Sequence, residues 1–130
     1  MSVLRFLLVP LALMAAVSAS AAEAPPMSAK LQAMVRNRAQ GPQIKCIRRD
    51  VRMRTNIVDS ATITFQSGSS VVFVNRPPAC PLLQPGRSLI MEVTRNNICE
   101  GDSLAVVDLV SDVEYGPCTL SSFTPWLKQK

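Results

Sequence analysis

Polar and apolar positions alternate most regularly between residues 51 and 75. Val51, Met53 and Thr55 interleave with Arg52, Arg54 and Asn56, and Ile63 and Phe65 interleave with Thr62 and Thr64. Val71 and Phe73 follow after Ser67-Gly68-Ser69-Ser70. A period of two bounded by a Gly/Ser turn marks half-buried strands joined by a hairpin. The pattern therefore predicts a strand over 50–56 and a hairpin whose second arm is 71–74. That second arm is apolar on both faces, as expected of a central strand or one covered on both sides. Val58-Asp59-Ser60 reads as a tight corner, because Asp and Ser side chains bond nearby backbone groups.

Further along, Leu89, Met91 and Val93 alternate with Ile90, Glu92 and Thr94, predicting a strand over 88–93. Arg95-Asn96-Asn97 and Glu100-Gly101-Asp102 read as turns. The apolar run 104–110 predicts another strand, and Ser111-Asp112 turns the chain into Val113-Glu114-Tyr115. Residues 75–86 contain Pro77, Pro78, Pro81 and Pro85, which cannot donate to a ladder, so this segment is a loop. The tail after Cys118 carries Leu120, Phe123 and Trp126 and is expected to lie on the domain as irregular chain. Upstream, Ser28 is a candidate N-cap for a short helix to about Gln40. Leu31, Met34 and Val35 supply its apolar stripe, and Gly41-Pro42 stops it. That stripe is too narrow to hold a membrane surface alone, so the helix is expected to pack on the domain. Several short strands with turns at short intervals give a mainly β fold, a small antiparallel barrel or sandwich with a short N-terminal helix.

The first residues follow a different pattern. Arg5 precedes a short apolar run over 6–17, broken by Pro10, and Ala19-Ser20-Ala21-Ala22 supplies small residues for cleavage. This is a secretory signal peptide over 1–22. The run is shorter than the roughly 20 residues of a membrane-spanning helix, and nothing after Ala22 is apolar for long enough to span. Residues 23–42 then form a leader and the short helix, and 43–130 form the β domain. The expected location is the periplasm or the exterior of the cell.

The chain has 4 cysteines, and Cys46, Cys80, Cys99 and Cys118 all follow the signal segment. Export and an even count imply two disulfides. Three connectivities are possible. The one expected here joins Cys46 to Cys118 across the ends of the β region, and Cys80 to Cys99. Without a CxxC pair a thioredoxin-like site is not expected. Without histidine (His 0) or closely paired cysteines, zinc is not expected either. No cofactor is called for.

Net charge is +5, and the charges are unevenly placed. Lys30, Arg36, Arg38, Lys45, Arg48, Arg49, Arg52 and Arg54 lie early, whereas Glu100, Asp102, Asp108, Asp112 and Glu114 lie late. Such a basic patch can meet anionic lipid or phosphate. The plainer expectation is that basic and acidic strands face one another on the surface. Nucleic acid is not an expected partner, since the chain is exported and the basic run has no interleaved aromatics for stacking.

Lack of histidine removes Ser-His-Asp and Cys-His machinery, and oxidised cysteines leave no thiolate nucleophile. Glu100 and Asp102, beside Cys99, are the best-placed acids. They could act as a glycosidase-like carboxylate pair or hold calcium. The plainer expectation is a solvated turn with Asp102 accepting backbone N–H bonds. Tyr115, Phe123 and Trp126 are expected in the core rather than as an exposed patch.

Several landmarks occur in a fixed order: Cys46-Ile47, Val58-Asp59, Thr62-Ile63-Thr64-Phe65, Asn75, Cys80-Pro81-Leu82-Leu83, Cys99-Glu100-Gly101-Asp102 and Cys118-Thr119-Leu120-Ser121-Ser122-Phe123. Their order resembles a family of small exported bacterial proteins of uncharacterised function, over roughly residues 46–125. Two features depart from that family. There is no lipoprotein cysteine at the cleavage point, and Pro77 stands where an aliphatic residue is usual. The resemblance implies a scaffold but no activity.

The functional expectation is a non-catalytic exported module, not an enzyme, that binds a protein or envelope component or serves structurally. The alternatives are an inhibitor of an exported enzyme, presented through the 76–87 loop, or a small hydrolase or ion-binding protein using Glu100 and Asp102.

Overall fold

The computed structural model describes residues 25–92 and 95–130; the expected signal peptide lies outside them. The elements in chain order are α1 (Ala29–Val35), β1 (Arg38–Gln40), β2 (Cys46–Arg48), β3 (Arg54–Asp59), β4 (Thr62–Ser67), β5 (Val71–Asn75), β6 (Ser88–Met91), β7 (Asn97–Cys99), β8 (Ser103–Asp108), β9 (Val113–Thr119) and β10 (Phe123–Lys128). They form a five-stranded sheet ordered β1-β10-β5-β4-β3, a pair β2-β7, and a three-stranded sheet β6-β8-β9. Every pairing is antiparallel. Among the described residues the fold is thus mainly β with one short helix, and no closed barrel is found.

The hairpin forms where the alternation places it. Phe65 stands opposite Phe73, and Thr64 opposite Val74. Gly68 turns the hairpin at φ 67°, a left-handed angle that costs glycine nothing. β5 lies between β4 and β10 and is covered on both faces. Val72 and Val74 pack beneath α1 with Leu31, Val35 and Val58. On the other face Phe73 meets the main core, where Ile47, Ile57, Ile63, Phe65, Ile98, Leu104, Val106, Leu120 and Phe123 come together from all three sheets. Phe65 and Phe123 meet edge to face, centroids 5.5 Å apart, the arrangement that ring quadrupoles favour.

The helix is shorter than the apolar stripe suggests. The Ser28 hydroxyl caps it by accepting the Leu31 N–H at 3.2 Å, but it ends at Val35 rather than near Gln40. Asn37 adopts φ 62°, and residues 38–40 leave as β1 to pair with β10. The 50–56 strand also shifts. Asp50 Oδ1 accepts the Arg52 N–H and Asp50 O the Met53 N–H, both at 3.0 Å. This turn exposes Val51, and the strand begins at Arg54 and runs to Asp59. The corner follows at Ser60-Ala61, with the Ala61 N–H donating to Asp59 Oδ1 at 2.9 Å.

The tail contains the largest departure from expectation. It is not irregular: β10 is an inner strand of the main sheet, held by β5 on one side and β1 on the other. Pro125 makes this segment read as non-strand, yet its missing N–H costs no ladder bond. Pro125 O accepts from Gly41 N at 2.8 Å, so the proline nitrogen faces the same side, where residues 41–43 step out of the ladder. The chain rejoins it at Ile44, which exchanges bonds with Phe123. A Cβ on Gly41 would lie 3.0 Å from the Pro125 ring, so a larger residue there would have to push that ring aside by a few tenths of an ångström. The turn before β10 is fixed by Asn75, fully buried. Its side chain donates to Ser121 O at 2.7 Å and accepts from Ser121 N and Oγ at 3.1 and 3.0 Å.

The disulfides are Cys46–Cys99 and Cys80–Cys118, not the expected Cys46–Cys118 and Cys80–Cys99. Strand pairing decides this. Cys46 stands directly opposite Cys99 in the β2-β7 pair, and the bond from Glu100 N to Lys45 O makes it a non-hydrogen-bonded pair, the geometry that brings side chains closest. Cys118 stands in β9, where it anchors the proline loop through Cys80. The strand pairings also keep basic and acidic strands apart. Arg48 is in β2, paired with β7, and Arg54 is in β3, paired with β4, while Asp108 and Glu114 share the β8-β9 hairpin. Apolar faces set these registers, because a cross-strand charge pair is worth at most about 1 kcal/mol.

Non-reducing peptide mapping should return Cys46–Cys99 and Cys80–Cys118. The loops close over 53 and 38 residues. Each closure is worth about 4 kcal/mol by loop entropy, so Cys46→Ala/Cys99→Ala and Cys80→Ala/Cys118→Ala should each lower unfolding free energy in urea by about 2–4 kcal/mol.

A second expectation concerns acid. Ser28 Oγ donates to Asp59 Oδ2 at 2.7 Å, tying α1 to the β3-β4 corner. Burial pushes the Asp59 carboxyl up, but hydrogen bonds from Ser28, Ala61 and Thr62 and the Arg76 charge outweigh it and hold it below its ordinary value. The stabilisation is therefore complete above the unfolded carboxylate value, about 4, and is lost as pH falls through the lower folded value. Acid should lower the Tm of the native chain more than that of Asp59→Asn; parallel Tm curves would overturn this role for Asp59.

Candidate functional site

The 76–87 loop is built as a rigid projection. Cys80 fastens it to β9, Leu83 is buried in the core, and Gly86 and Arg87 lead into β6. Between Pro81 and the buried Leu83, Leu82 is turned outward, 55% exposed, with φ 66°. A left-handed angle is uncommon for a bulky residue and persists only where its surroundings enforce it. Here the disulfide, the buried Leu83 and Arg87 do so. The Arg87 guanidinium donates to Leu82 O and lies over the Tyr115 ring, 4.1 Å from its centroid, an attractive cation–π placement.

Arg87 also connects the loop to a second projection. Ser88 stands opposite Val107 in the β6-β8 register, so Arg87 falls beside Asp108 at the end of the sheet. The apolar run 104–110 does not continue as strand to Val110. β8 stops at Asp108, whose Oδ1 accepts the N–H groups of Val110 at 2.9 Å and Ser111 at 3.2 Å. The backbone N–H groups of Ser111 and Val110, and to a smaller extent the Arg87 charge, hold the Asp108 carboxyl below its ordinary value. Asp112 closes the turn at φ 56°. Leu109 and Val110 are left 73% and 99% exposed. The tip of the β8-β9 hairpin thus presents Leu109 and Val110, rimmed by Asp108, Asp112 and Glu114, and Arg87 links this end of the sheet to the loop that exposes Leu82.

The loop was legible in the sequence from its prolines and cysteine. The β8-β9 tip was not, because two apolar residues after an apolar strand read as more strand. The available signal was Asp108 with Ser111 three residues on, a turn-forming pair.

The other sequence candidates fall elsewhere. Asp102 Oδ2 accepts the Cys99 N–H at 2.8 Å, and Oδ1 meets Arg95 at 2.7 Å; its carboxylate closes the turn beside the Cys46–Cys99 bridge. Glu100 is exposed one residue before Gly101. Among the described residues no group of three His, Cys, Asp or Glu side chains is gathered around a point. Tyr115, Phe123 and Trp126 do not form one patch. Phe123 is fully buried, Tyr115 packs on the main core, and Trp126 packs with the cluster beneath α1. Among the described residues no helix is long and apolar enough to cross a membrane.

No protein-family model matches this chain, and neither a curated protein nor a solved structure matches it.

Replacing Arg87 with Ala should raise amide exchange in the loop at residues 82–84 by about tenfold, the loss of one charge-assisted hydrogen bond. Exchange in β4 and β5 should stay unchanged. Equal loop protection in the two proteins would show that the disulfide alone holds the loop.

Proposed function

We propose that this chain is a non-catalytic binding module of the periplasm or cell exterior that engages a protein or envelope component through the end of its three-stranded sheet. Its scaffold is read as an open sandwich, with the main sheet and the three-stranded sheet facing across the shared core. The observation that carries the proposal is the outward placement of Leu82, Leu109 and Val110 on two braced projections. A domain of this size gains nothing in its own fold from three exposed apolar side chains. On association each can bury its surface, and a braced loop loses little entropy on doing so. Two disulfides fit an oxidising compartment. A particular form of the proposal is an inhibitor that offers the Leu82 loop to the cleft of an exported enzyme. The strained, pinned backbone at Leu82 favours it, since a rigid projection resists rearrangement when seated.

The test is a photo-crosslinking residue placed at 82, at 110, or, as a control, at the exposed position 32 of α1, in the full chain expressed in exporting cells. Positions 82 and 110 should capture the same species, and Val110→Asp should lower capture at 82 by about tenfold, the loss of an interface anchor. Capture at 82 and 110 no stronger than at 32 would overturn the reading.

A further inference from the structure

Basic residues from residues 36–54 and from the tail meet at one end of the main sheet. β1 begins there at Arg38, β3 at Arg54 and β5 at Val71, while β4 ends there at Ser67 and β10 at Lys128. In register, Arg38 stands opposite Lys128, Arg54 opposite Gln66, and Val71 between Ser67 and Leu127. Arg36, at the C-cap of α1, precedes Asn37, whose carbonyl accepts the Gln129 N–H at 3.3 Å. Arg36, Arg38, Arg52, Arg54 and Lys128 thus gather at the end that carries the Gly68 turn. Among the described residues one carboxylate bonds to this end. Asp50 accepts the Ser67 hydroxyl at 2.6 Å and the Arg52 N–H at 3.0 Å. The Arg38 guanidinium bonds only carbonyl oxygens, those of Ser69, Ser70 and Trp126, and keeps its charge. A cavity of about 520 Å³ opens between Arg52, Arg54 and the Ser67-Gly68-Ser69 turn, and no carboxylate lines it. Two apolar side chains stand uncovered at the same end: Val51 is 101% exposed and Leu127 50%.

We infer that this end docks on the surface of an anionic lipid bilayer. Charge supplies the attraction, because each Lys or Arg near a surface of anionic headgroups strengthens binding about fivefold. Shape selects an extended surface over a single anion. Five strands about 4.8 Å apart put Arg38 and Arg54 about 19 Å from each other, too far for one phosphate to meet both. The uncovered Val51, flanked by arginines, selects lipid over a soluble polyanion. A valine gains by leaving water; a phosphate or sulfate chain offers it no apolar medium, whereas the boundary of headgroup and acyl chain does. Single-stranded nucleic acid would call for aromatic rings among the cations, and Tyr115, Phe123 and Trp126 pack into the two core clusters. The fold also sets the orientation. Met53, just before β3, shares a cavity with Met91, whereas Val58, near the end of β3, shares one with Gly86 and Ser88. β3 therefore runs from the basic end toward the end of β6 where the acidic Leu109-Val110 tip stands. Docking leaves that tip facing away from the lipid. The membrane site does not rest on the partner-binding proposal.

The full chain, purified from exporting cells, is sedimented with vesicles of phosphatidylcholine alone and of phosphatidylcholine mixed with phosphatidylglycerol. It should pellet with the mixed vesicles only. Raising salt from about 0.1 M to about 1 M shortens the screening length from about 10 Å to about 3 Å and should release it. Arg52→Gln/Arg54→Gln should weaken binding about 25-fold, two charges at about fivefold each. Lys30→Gln/Lys45→Gln removes the same net charge away from this end, beside Val58 and before the Ile44–Phe123 bridge, and should change binding by less than about twofold. Val51→Ser should weaken binding about fivefold, part of what burying a valine supplies. All five side chains are exposed, so Tm should stay unchanged in every variant. Absence of binding to the mixed vesicles, or an equal loss in the two double variants, would overturn the inference. So would unchanged binding of Val51→Ser, the result expected if the cations serve a soluble polyanion.

Discussion

β10 lies between β1 and β5, so the chain's last strand holds its first strand against the hairpin. Most of the other packing depends on this insertion. Phe123, at its start, is fully buried and supplies the edge-to-face partner of Phe65. Trp126, three residues on, faces the opposite side and joins the cluster beneath α1. The helix is only 7 residues long, too short to be stable by itself. It persists because Leu31 and Val35 rest on a surface that β10 and β5 complete together. Asn75 and Ser121 fix the entry to that strand with hydrogen bonds from both ends of the turn. Removing either partner would leave a buried polar group unsatisfied, and that cost exceeds what the bond itself contributes.

The two disulfides brace regions that the main sheet does not reach. β2 and β7 are only 3 residues each, and a pair of such strands is marginal alone. The Cys46–Cys99 bridge joins them at directly opposed positions, and the Asp102 turn closes beside it. Cys80–Cys118 fastens a proline-rich segment that cannot enter any ladder. The result is a small domain in which the exposed Leu82 sits on a braced support rather than on loose chain. Arg87 extends this bracing, since one guanidinium organises the Leu82 carbonyl, the Tyr115 ring and the neighbourhood of Asp108.

The strongly uneven charges have less architectural influence than their sequence pattern suggests. Basic and acidic strands do not pair because register follows the buried face, and exposed charge pairs are worth too little to override it. The charge asymmetry remains as a surface property. The acidic rim of the Leu109-Val110 tip is one expression of it, and the arginines of β2 and β3 are another.

Local chemistry was readable in the sequence wherever neighbours in the chain settle the structure. The hairpin at 62–75, the Ser28 cap, the turn at Asp102 and the loop at 76–87 each follow from side chains acting within a few residues. Where the chain misled, a distant partner decided. Residues 38–40 and 123–128 become strands because each pairs with the other, and Pro125 is tolerated because the facing segment bulges away at Gly41. Leu109 and Val110 leave their strand because Asp108 ends it and no neighbouring element covers the tip. The cysteine count and export pattern determined that bridges were expected, but which cysteines meet depends on which strands lie side by side. Sequence determines what a segment can do within its own reach; only the tertiary structure chooses among long-range pairings, because their registers are fixed by the burial of faces contributed from opposite ends of the chain.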